Sequence, residues 1–282
     1  MPPNLGQIGP ITLRTYTLLL DLAVLIGLGA LTWQGWRLDD EPGHWLDAGL
    51  WALAAGIVGG RLVHAAIHWQ YFSEHLSDIP AVWEGGLSWQ GAVLAGLGAI
   101  MLACARRGVS FKTLSVTLAF VLPIGAILAD AGCISSGCAH GREVLSLAGY
   151  PPYIAAELPD LYGIVAPRFQ TQLFGAALNA ALLILAFGIT SRNRFSHSVF
   201  WIILALAGLG AFGIDFLRGD PVPMVGRLRL DQIFDLAVAL VGVAGIVSGR
   251  RQPRPAPARP ARQRVFQSLG DDHASKPGAG PD

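Results

Sequence analysis

The stretch TLSVTLAFVLPIGAILADAGCISSGCAHGR, residues 113–142, joins a strongly apolar segment directly to a polar one. Residues 113–128 contain no charged side chain, and their length approaches the roughly 20 apolar residues that a membrane-spanning helix requires. Residues 129–142 instead concentrate glycine, cysteine, serine and charged side chains. This junction predicts a spanning helix that leads into a polar segment at one face of a membrane.

Apolar stretches of similar length recur along the chain. Seven of them predict membrane-spanning helices: Tyr16–Trp33, Leu50–His68, Leu87–Cys104, Thr113–Leu128, Thr171–Thr190, Val199–Phe216 and Leu230–Val247. We therefore expect an all-α fold, a polytopic membrane protein with about seven transmembrane helices and a small extracytoplasmic subdomain.

The amino-acid composition agrees with this expectation. Hydrophobic residues make up 52% of the 282 residues and charged residues only 14%, and the mean hydropathy is +0.49. A soluble domain carries roughly 25% charged residues, so this chain cannot cover its surface with charge as a soluble protein does. These values exclude a disordered chain, a coiled coil and an ordinary cytosolic enzyme.

The positions of lysine and arginine predict the orientation, because cytoplasmic loops are enriched in both. One set of loops and the C-terminal tail hold most of these residues: Arg37, Arg106, Arg107, Lys112, Arg192, Arg194, Arg250, Arg251, Arg254, Arg259, Arg262 and Arg264. We expect this side to be cytoplasmic. The C-terminus is then cytoplasmic and, with seven spans, the N-terminus is extracytoplasmic.

The predicted organisation has two parts. Residues 1–248 form the seven-span membrane domain, in which residues 129–170 form an extracytoplasmic loop and head region rich in glycine and proline. Residues 249–282 form a cytoplasmic tail rich in proline and arginine, which we expect to be disordered. Binding of this tail to anionic lipid headgroups is the alternative.

Charged side chains inside the predicted spans are candidates for function, because a charge at mid-bilayer costs at least about 2.5–3.5 kcal/mol. They are Asp21, Arg61, His64 and Asp130, with Asp215 and Arg218 near a helix end. Two interpretations of Arg61 are open. It forms an internal ion pair with Asp21 or Asp130, or it lines a cavity for an anion such as a phospholipid phosphate, which the guanidinium fork binds well.

The polar segment also holds the most reactive side chains, Cys133, Cys138 and His140. The two cysteines form a disulfide if they lie outside the cytoplasm. The alternatives are a metal site, although the spacing fits no common zinc signature, a thiol used in covalent catalysis, and a structural or headgroup-contacting role.

Six blocks of the sequence, taken in their order and spacing, show a family resemblance. They are IGPITLRTYTLLL (8–20), VGGRLVHAAI (58–67), VWEGGLSWQGAVLAG (82–96), PRFQTQLFGA (167–176), AFGIDFLRGDP (211–221) and LRLDQIFDLAVALVGV (228–243). With them the sequence resembles the bacterial prolipoprotein diacylglyceryl transferases, seven-span enzymes of the plasma membrane. The resemblance covers almost the whole chain except the tail.

Residues 129–142 resemble the signature loop of that family, approximately G-R-x-G-N-F-x-N-G-E-x-x-G-R. The matching positions are Gly132, Gly137, Gly141 and Arg142. Asp130 stands at the first arginine of the family pattern, Cys133 and Ser136 at its two asparagines, and Cys138 at its glutamate. Gln90 stands where the family has a histidine proposed as catalytic.

The resemblance implies transfer of a diacylglyceryl group from phosphatidylglycerol to the thiol of the lipobox cysteine in prolipoproteins. The implied partners are phosphatidylglycerol, the prolipoprotein signal peptide and the membrane, and neither nucleic acid, a cofactor nor a metal is expected. The implied catalytic residues are Arg142, Arg218, His140 and Gln90. The implied substrate-binding residues are Tyr16, Arg61, Asp130, Gly132, Gly137 and Gly141.

Three arginines, Arg61, Arg142 and Arg218, are expected to converge on one cavity and hold the lipid phosphate, and His140 or Asp130 is the expected proton acceptor. Two other functions stay open. The chain is a related membrane transferase with another lipid donor or acceptor, using Cys133 or Cys138 as a covalent relay, or it is a non-catalytic lipid-binding homologue.

Overall fold

The computed structural model describes residues 4–8, 11–38, 41–107, 111–192 and 198–250. Its helices are α1 (Thr15–Arg37), α2 (Pro42–Ile67), α3 (Trp69–Phe72), α4 (Trp89–Arg106), α5 (Phe111–Ser136), α6 (Thr171–Ser191), α7 (Val199–Asp215) and α8 (Leu230–Arg250). Short 3₁₀ turns at Leu76–Asp78 and Val82–Glu84 lie between α3 and α4.

Three small antiparallel hairpins accompany the helices. They are β1 (Asn4–Ile8) with β2 (Ile11–Arg14), β3 (Ala155–Pro159) with β4 (Val165–Phe169), and β5 (Met224–Val225) with β6 (Leu228–Arg229). The sequence does not predict these hairpins, because strands of two to five residues show too little alternation of apolar and polar residues to be recognised.

All seven predicted spans are confirmed as helices within the described residues. Six of these helices are long and apolar enough to cross a membrane, and α7 is a shorter apolar helix. Large side chains such as Leu25, Trp51, Ile184 and Phe187 remain exposed on them. Such a surface suits hydrocarbon and not water, and helices satisfy their backbone hydrogen bonds internally. The chain is therefore an all-α, multi-pass membrane protein.

Two boundaries differ substantially from the prediction. Helix α2 begins at Pro42, eight residues before the predicted Leu50. Helix α5 continues to Ser136, so residues 129–136 are helical and the predicted outer loop begins later. The extension packs on α1, since a Cβ atom at Gly132 would lie 2.8 Å from Cδ2 of Tyr16. The helix then ends at Gly137, whose φ of 73° favours glycine. The division into a membrane domain and a tail stays a prediction, and residues 251–282 lie outside the described part.

The two ends of the helix bundle differ in chemistry. One end holds two apolar clusters. The first contains Trp45, Cys104 and Leu114, and the second contains Leu118, Leu182 and Phe200. At the opposite end, which we call the polar end, the beginnings of α1, α4, α6 and α8 meet the ends of α2, α5 and α7. Ser88, for example, donates its backbone N–H to Gly60 O at 3.0 Å. The predicted site residues all lie at the polar end.

Close helix contacts hold this arrangement together. Helices α2 and α4 meet at Gly59 and Gly91, where a Cβ atom at Gly59 would lie 2.7 Å from the carbonyl oxygen of Gly91. Helices α7 and α8 meet at Gly208, where a Cβ atom would lie 2.5 Å from Asp235 O. Small residues allow such approach in membrane helices, where packing replaces the hydrophobic effect as the driving force.

We expect Gly91→Ala to destabilise the fold by about 1–3 kcal/mol, because its methyl group overlaps the backbone of Gly59. The control is Gly98→Ala on the same helix, where an added Cβ meets nothing within 4 Å. Alanine there gains up to about 1 kcal/mol of helix propensity. The free energy of unfolding in detergent measures both variants, and equal values would contradict the close contact.

Candidate active site

Arg218 organises the polar end. Its guanidinium binds Asp220 through two hydrogen bonds of 2.9 and 2.6 Å. Its Nη1 lies 3.3 Å from Asp215 Oδ1 and 3.6 Å from Asp231 Oδ2. Burial disfavours the charged guanidinium, but the hydrogen bonds and charge of Asp220, with the charges of Asp215 and Asp231, raise the pKa of Arg218 above its ordinary value. Arg218 is therefore a permanent cation enclosed by carboxylates.

A second arginine extends this network. Nη2 of Arg229 lies 3.0 Å from Asp220 Oδ1 and 3.9 Å from Asp231 Oδ2. Burial disfavours the charged carboxylate, but the hydrogen bonds from Arg218 and the charges of both arginines hold the pKa of Asp220 below its ordinary value. We call Arg218, Arg229, Asp215, Asp220 and Asp231 the aspartate–arginine network.

Gln90 links helix α4 to this network. Its Nε2 donates to Asp231 Oδ1 at 2.5 Å, and its Oε1 accepts from Ser88 Oγ at 2.5 Å. Gln90 and Asp231 are 9% and 6% exposed, so both amide interactions are enclosed. An amide does not accept a proton near neutral pH, and Gln90 is instead an orienting contact for the carboxylate.

Residues 129–142, which we call the signature segment, contain a disulfide between Cys133 and Cys138, whose Cα atoms are 4.7 Å apart. Side chains of α6 bind the backbone carbonyls of residues 138 and 139. Gln172 donates to Cys138 O at 2.9 Å, and Thr171 donates to Ala139 O at 2.7 Å. Of the alternatives for these cysteines, the structure realises the disulfide. Both thiols are thereby withdrawn from a metal site or a covalent relay.

His140 is buried against an arginine to which the sequence assigns no role. Nη1 of Arg168 lies 3.3 Å from Nδ1 of His140, and Nη2 of Arg168 pairs with Glu143 at 2.8 Å and Asp160 at 3.3 Å. Nδ1 of His140 also lies 3.3 Å from Gly141 O, which only accepts, whereas the guanidinium only donates. The two contacts call for opposite tautomers, and the expectation that His140 accepts the thiol proton stays a prediction.

Asp160 anchors the other side of Arg168. The backbone N–H groups of Ile164 and Tyr162 donate to its Oδ1, and with the charge of Arg168 they hold the pKa of Asp160 below its ordinary value. The block PRFQTQLFGA contains Arg168. The position of Arg168 in that block is the sequence signal that could have identified it as a site residue.

The backbone joins the segments that carry two of the proposed catalytic residues. Arg142 N donates to Leu217 O at 2.7 Å, and Gly219 N donates to His140 O at 2.9 Å. Gly141 packs against the carbonyl of Phe169 with no room for a Cβ atom. The exposed side chain of Arg142 lines a cavity of about 460 Å³ together with Glu143, Val144, Leu145, Ser146, Tyr150 and Phe169.

Arg61 has a different environment. It is 6% exposed, and its guanidinium donates to the carbonyls of Asp78, Ile79, Gly85 and Gly86 at 2.5–3.2 Å. The ion-pair interpretation of Arg61 is therefore wrong. A separate cavity of about 220 Å³ lies beside it. The loop 76–86 folds back over α2, which no local sequence pattern reveals.

The structure thus brings only some of the predicted site residues together. Arg61 donates to loop carbonyls, Arg142 lines a cavity and Arg218 binds carboxylates, and their convergence on one cavity stays a prediction. Tyr16 packs on Gly132, and Asp130 faces α6, where a Cβ atom at Gly175 would lie 2.6 Å from Asp130 Oδ2. Gly137 packs against the carbonyl of Asp160.

The helices are apolar, and one end of the bundle holds a buried charged site. These two features define a multi-pass membrane protein with its polar chemistry at one membrane face. A family model described as prolipoprotein diacylglyceryl transferase matches residues 3–248. The chain belongs to the prolipoprotein diacylglyceryl transferase family.

Individual relatives agree with this assignment. A protein of Trichormus variabilis is 30% identical over 261 residues, which cover 90% of this chain and 92% of the relative. Proteins of Rhodococcus jostii and Geobacillus kaustophilus are 28% and 27% identical, cover 92% and 84% of this chain, and are themselves covered to 77% and 88%. All three are named phosphatidylglycerol–prolipoprotein diacylglyceryl transferase.

Arg61→Lys should lower the free energy of unfolding by about 2–4 kcal/mol, because an ammonium cannot reach carbonyls on both sides of the loop and leaves several of them without a donor. Faster proteolysis within residues 76–86 should accompany the loss. Arg37→Lys is the control, since Arg37 is exposed and lies over Trp33 at the other end of the bundle. A stable Arg61→Lys variant with an intact loop would contradict the carbonyl contacts.

The disulfide predicts one alkylatable thiol, Cys104, in the denatured unreduced protein and three after reduction. Reduction should lower the free energy of unfolding by about 2 kcal/mol, the loop-closure value for so short a loop. The double variant Cys133→Ser/Cys138→Ser should not respond to reductant. Three reactive thiols before reduction would refute the pairing.

Proposed function

We propose that this protein transfers a diacylglyceryl group from phosphatidylglycerol to the lipobox cysteine thiol of prolipoproteins. The observation that carries the proposal is the family match over residues 3–248, which includes every part of the polar end. The names of the relatives give the donor and acceptor of those proteins. The disulfide argues against a related transferase that uses Cys133 or Cys138 as a relay.

The reaction requires cations at the place where phosphate charge develops. The acceptor thiolate attacks the glyceryl carbon, a C–S bond forms as the C–O bond breaks, and glycerol phosphate leaves with the electron pair. Arg142 is the first candidate to bind that phosphate. Its guanidinium is exposed and makes no side-chain hydrogen bond or ion pair within the described part of the chain. Arg218 is the second, from the adjoining segment.

We assign supporting roles to the remaining predicted residues. Gln90 and His140 already have protein partners, and we propose that they orient Asp231 and the signature segment. Tyr16 and Asp130 lie beside Gly132 and α6, where they border the same end of the bundle. Gly132, Gly137 and Gly141 permit the close backbone packing that shapes it.

We also propose that the protein lies in the bacterial plasma membrane with the polar end outside. The short loops at the other end carry Arg37, Arg106, Arg107 and Arg192, which favours a cytoplasmic location for them. The N-terminus is then extracytoplasmic and the C-terminus cytoplasmic. The acceptor peptide and the donor lipid would meet the site from the outer leaflet.

The test is conversion of a lipobox peptide to its diacylglyceryl thioether by the purified full-length protein with phosphatidylglycerol, measured by mass spectrometry. We expect Arg142→Gln to lower kcat/KM by about 10²–10³-fold, the usual cost of a lost transition-state donor. Arg227→Gln removes the same charge from an exposed residue at the polar end and should retain activity. No thioether under conditions where a known relative is active would refute the proposal.

A further inference from the structure

A tight turn joins the end of α5 to the segment that carries Arg142. Gly137, with a φ of 73°, ends the helix, and Ala139 has a φ of 52°. Among the described residues, Ala139 is the one residue other than glycine with a positive φ. This left-handed conformation is unfavourable for a residue with a Cβ atom, so contacts outside the turn have to hold Ala139 in it.

Two neighbouring helices hold this turn. Side chains of α6 donate hydrogen bonds to the carbonyls of Cys138 and Ala139 at 2.9 and 2.7 Å. The disulfide to Cys133 attaches the turn covalently to the last turn of α5 and limits how far Cys138 can move from that helix. Without the disulfide, the unfavourable conformation of Ala139 depends on hydrogen bonds alone.

The turn is connected to Arg142 along the backbone. Arg142 lies three residues after Ala139, and its backbone N–H donates to Leu217 O at 2.7 Å. Gly219 N donates to His140 O at 2.9 Å, so this pairing of the two segments begins at the residue that follows the turn. The conformation of the turn therefore determines where the pairing places Arg142, whose exposed side chain lines the cavity of about 460 Å³.

We propose that the Cys133–Cys138 disulfide positions Arg142 for the transfer reaction, so that the oxidised protein is active and the reduced protein loses activity. The inference rests on the proposed function, because it takes Arg142 as the residue that binds the donor phosphate. Cys133 and Cys138 are positioning residues, since they act on Arg142 through the backbone. Both are partly exposed, which leaves the disulfide within reach of a small reductant.

The change of state is a thiol–disulfide exchange with a dithiol. The thiolate of the dithiol attacks one sulfur, the bond between Cys133 and Cys138 breaks, and both become thiols while the dithiol becomes a disulfide. In the proposed orientation the polar end lies outside the cytoplasm, where an oxidising environment favours the bonded form. Transfer is thereby sensitive to the balance of thiols and disulfides at that membrane face.

The experiment compares initial rates of thioether formation by the oxidised full-length protein and by protein reduced with dithiothreitol, which gel filtration then removes. We expect reduction to lower kcat by about 10–100-fold, as the misplacement of a transition-state contact does. The KM for phosphatidylglycerol should change less than about threefold, and reoxidation should restore the rate. A disulfide that only stabilises the fold would leave both constants unchanged below the unfolding temperature.

Variants separate positioning from stability. Cys133→Ser/Cys138→Ser should have the low kcat of the reduced protein, and adding Ala139→Gly should recover about fivefold, because glycine adopts the left-handed conformation readily. Cys104→Ala keeps the disulfide and should retain the wild-type response to reductant. Leu182→Ala destabilises the apolar cluster at the other end and should keep kcat. The reduced wild-type protein carries the test should the double variant not fold.

Hydrogen exchange gives a second measurement that needs no transfer. The backbone N–H groups of Arg142 and Gly219 should exchange faster after reduction, whereas those in the middle of α6 should not change. In a protein that forms the thioether, an unchanged kcat or unchanged exchange at these two groups overturns the inference and leaves the transferase proposal standing. Faster exchange in a protein that forms no thioether overturns the transferase proposal and leaves the link between the disulfide and the Arg142 backbone standing.

Discussion

The pairing of Arg218 with its aspartates is the interaction on which the polar end depends. A largely buried guanidinium needs hydrogen-bonded anions around it, because an unpaired buried charge is costly. Asp220 supplies two of these bonds, and Asp215 and Asp231 approach from α7 and α8. Through Asp231 the network reaches Gln90 on α4, so one charge fixes the relative positions of three helices.

This enclosure also changes how an anion can bind. A phosphate at Arg218 competes with carboxylates that already occupy the guanidinium, whereas Arg142 on the adjoining segment is exposed. The segments that carry the two arginines are joined through their backbones, by the hydrogen bond from Arg142 N to Leu217 O. Charge compensation within the network therefore matters as much as the number of arginines.

The sequence predicts the membrane fold well, because spanning helices follow from long apolar runs. All seven runs correspond to helices, and the two substantial differences are the earlier start of α2 and the later end of α5. Helix α5 continues because a helix packed on Tyr16 tolerates the polar residues 130–136. The site is less predictable. Arg61 is conspicuous in the sequence, but its partners are backbone carbonyls of a loop 17–25 residues away, which side-chain chemistry does not encode.

Arg61 also has a consequence for how the chain enters the membrane. When α2 is inserted, residues 78–86 follow it along the chain, so the carbonyls that later surround the guanidinium are still to be delivered to the bundle. An arginine inside a newly inserted helix reaches toward the headgroup region until a partner is present. Stable insertion of α2 therefore depends on the segment synthesised next, and α2 matures together with the loop that follows it, not alone.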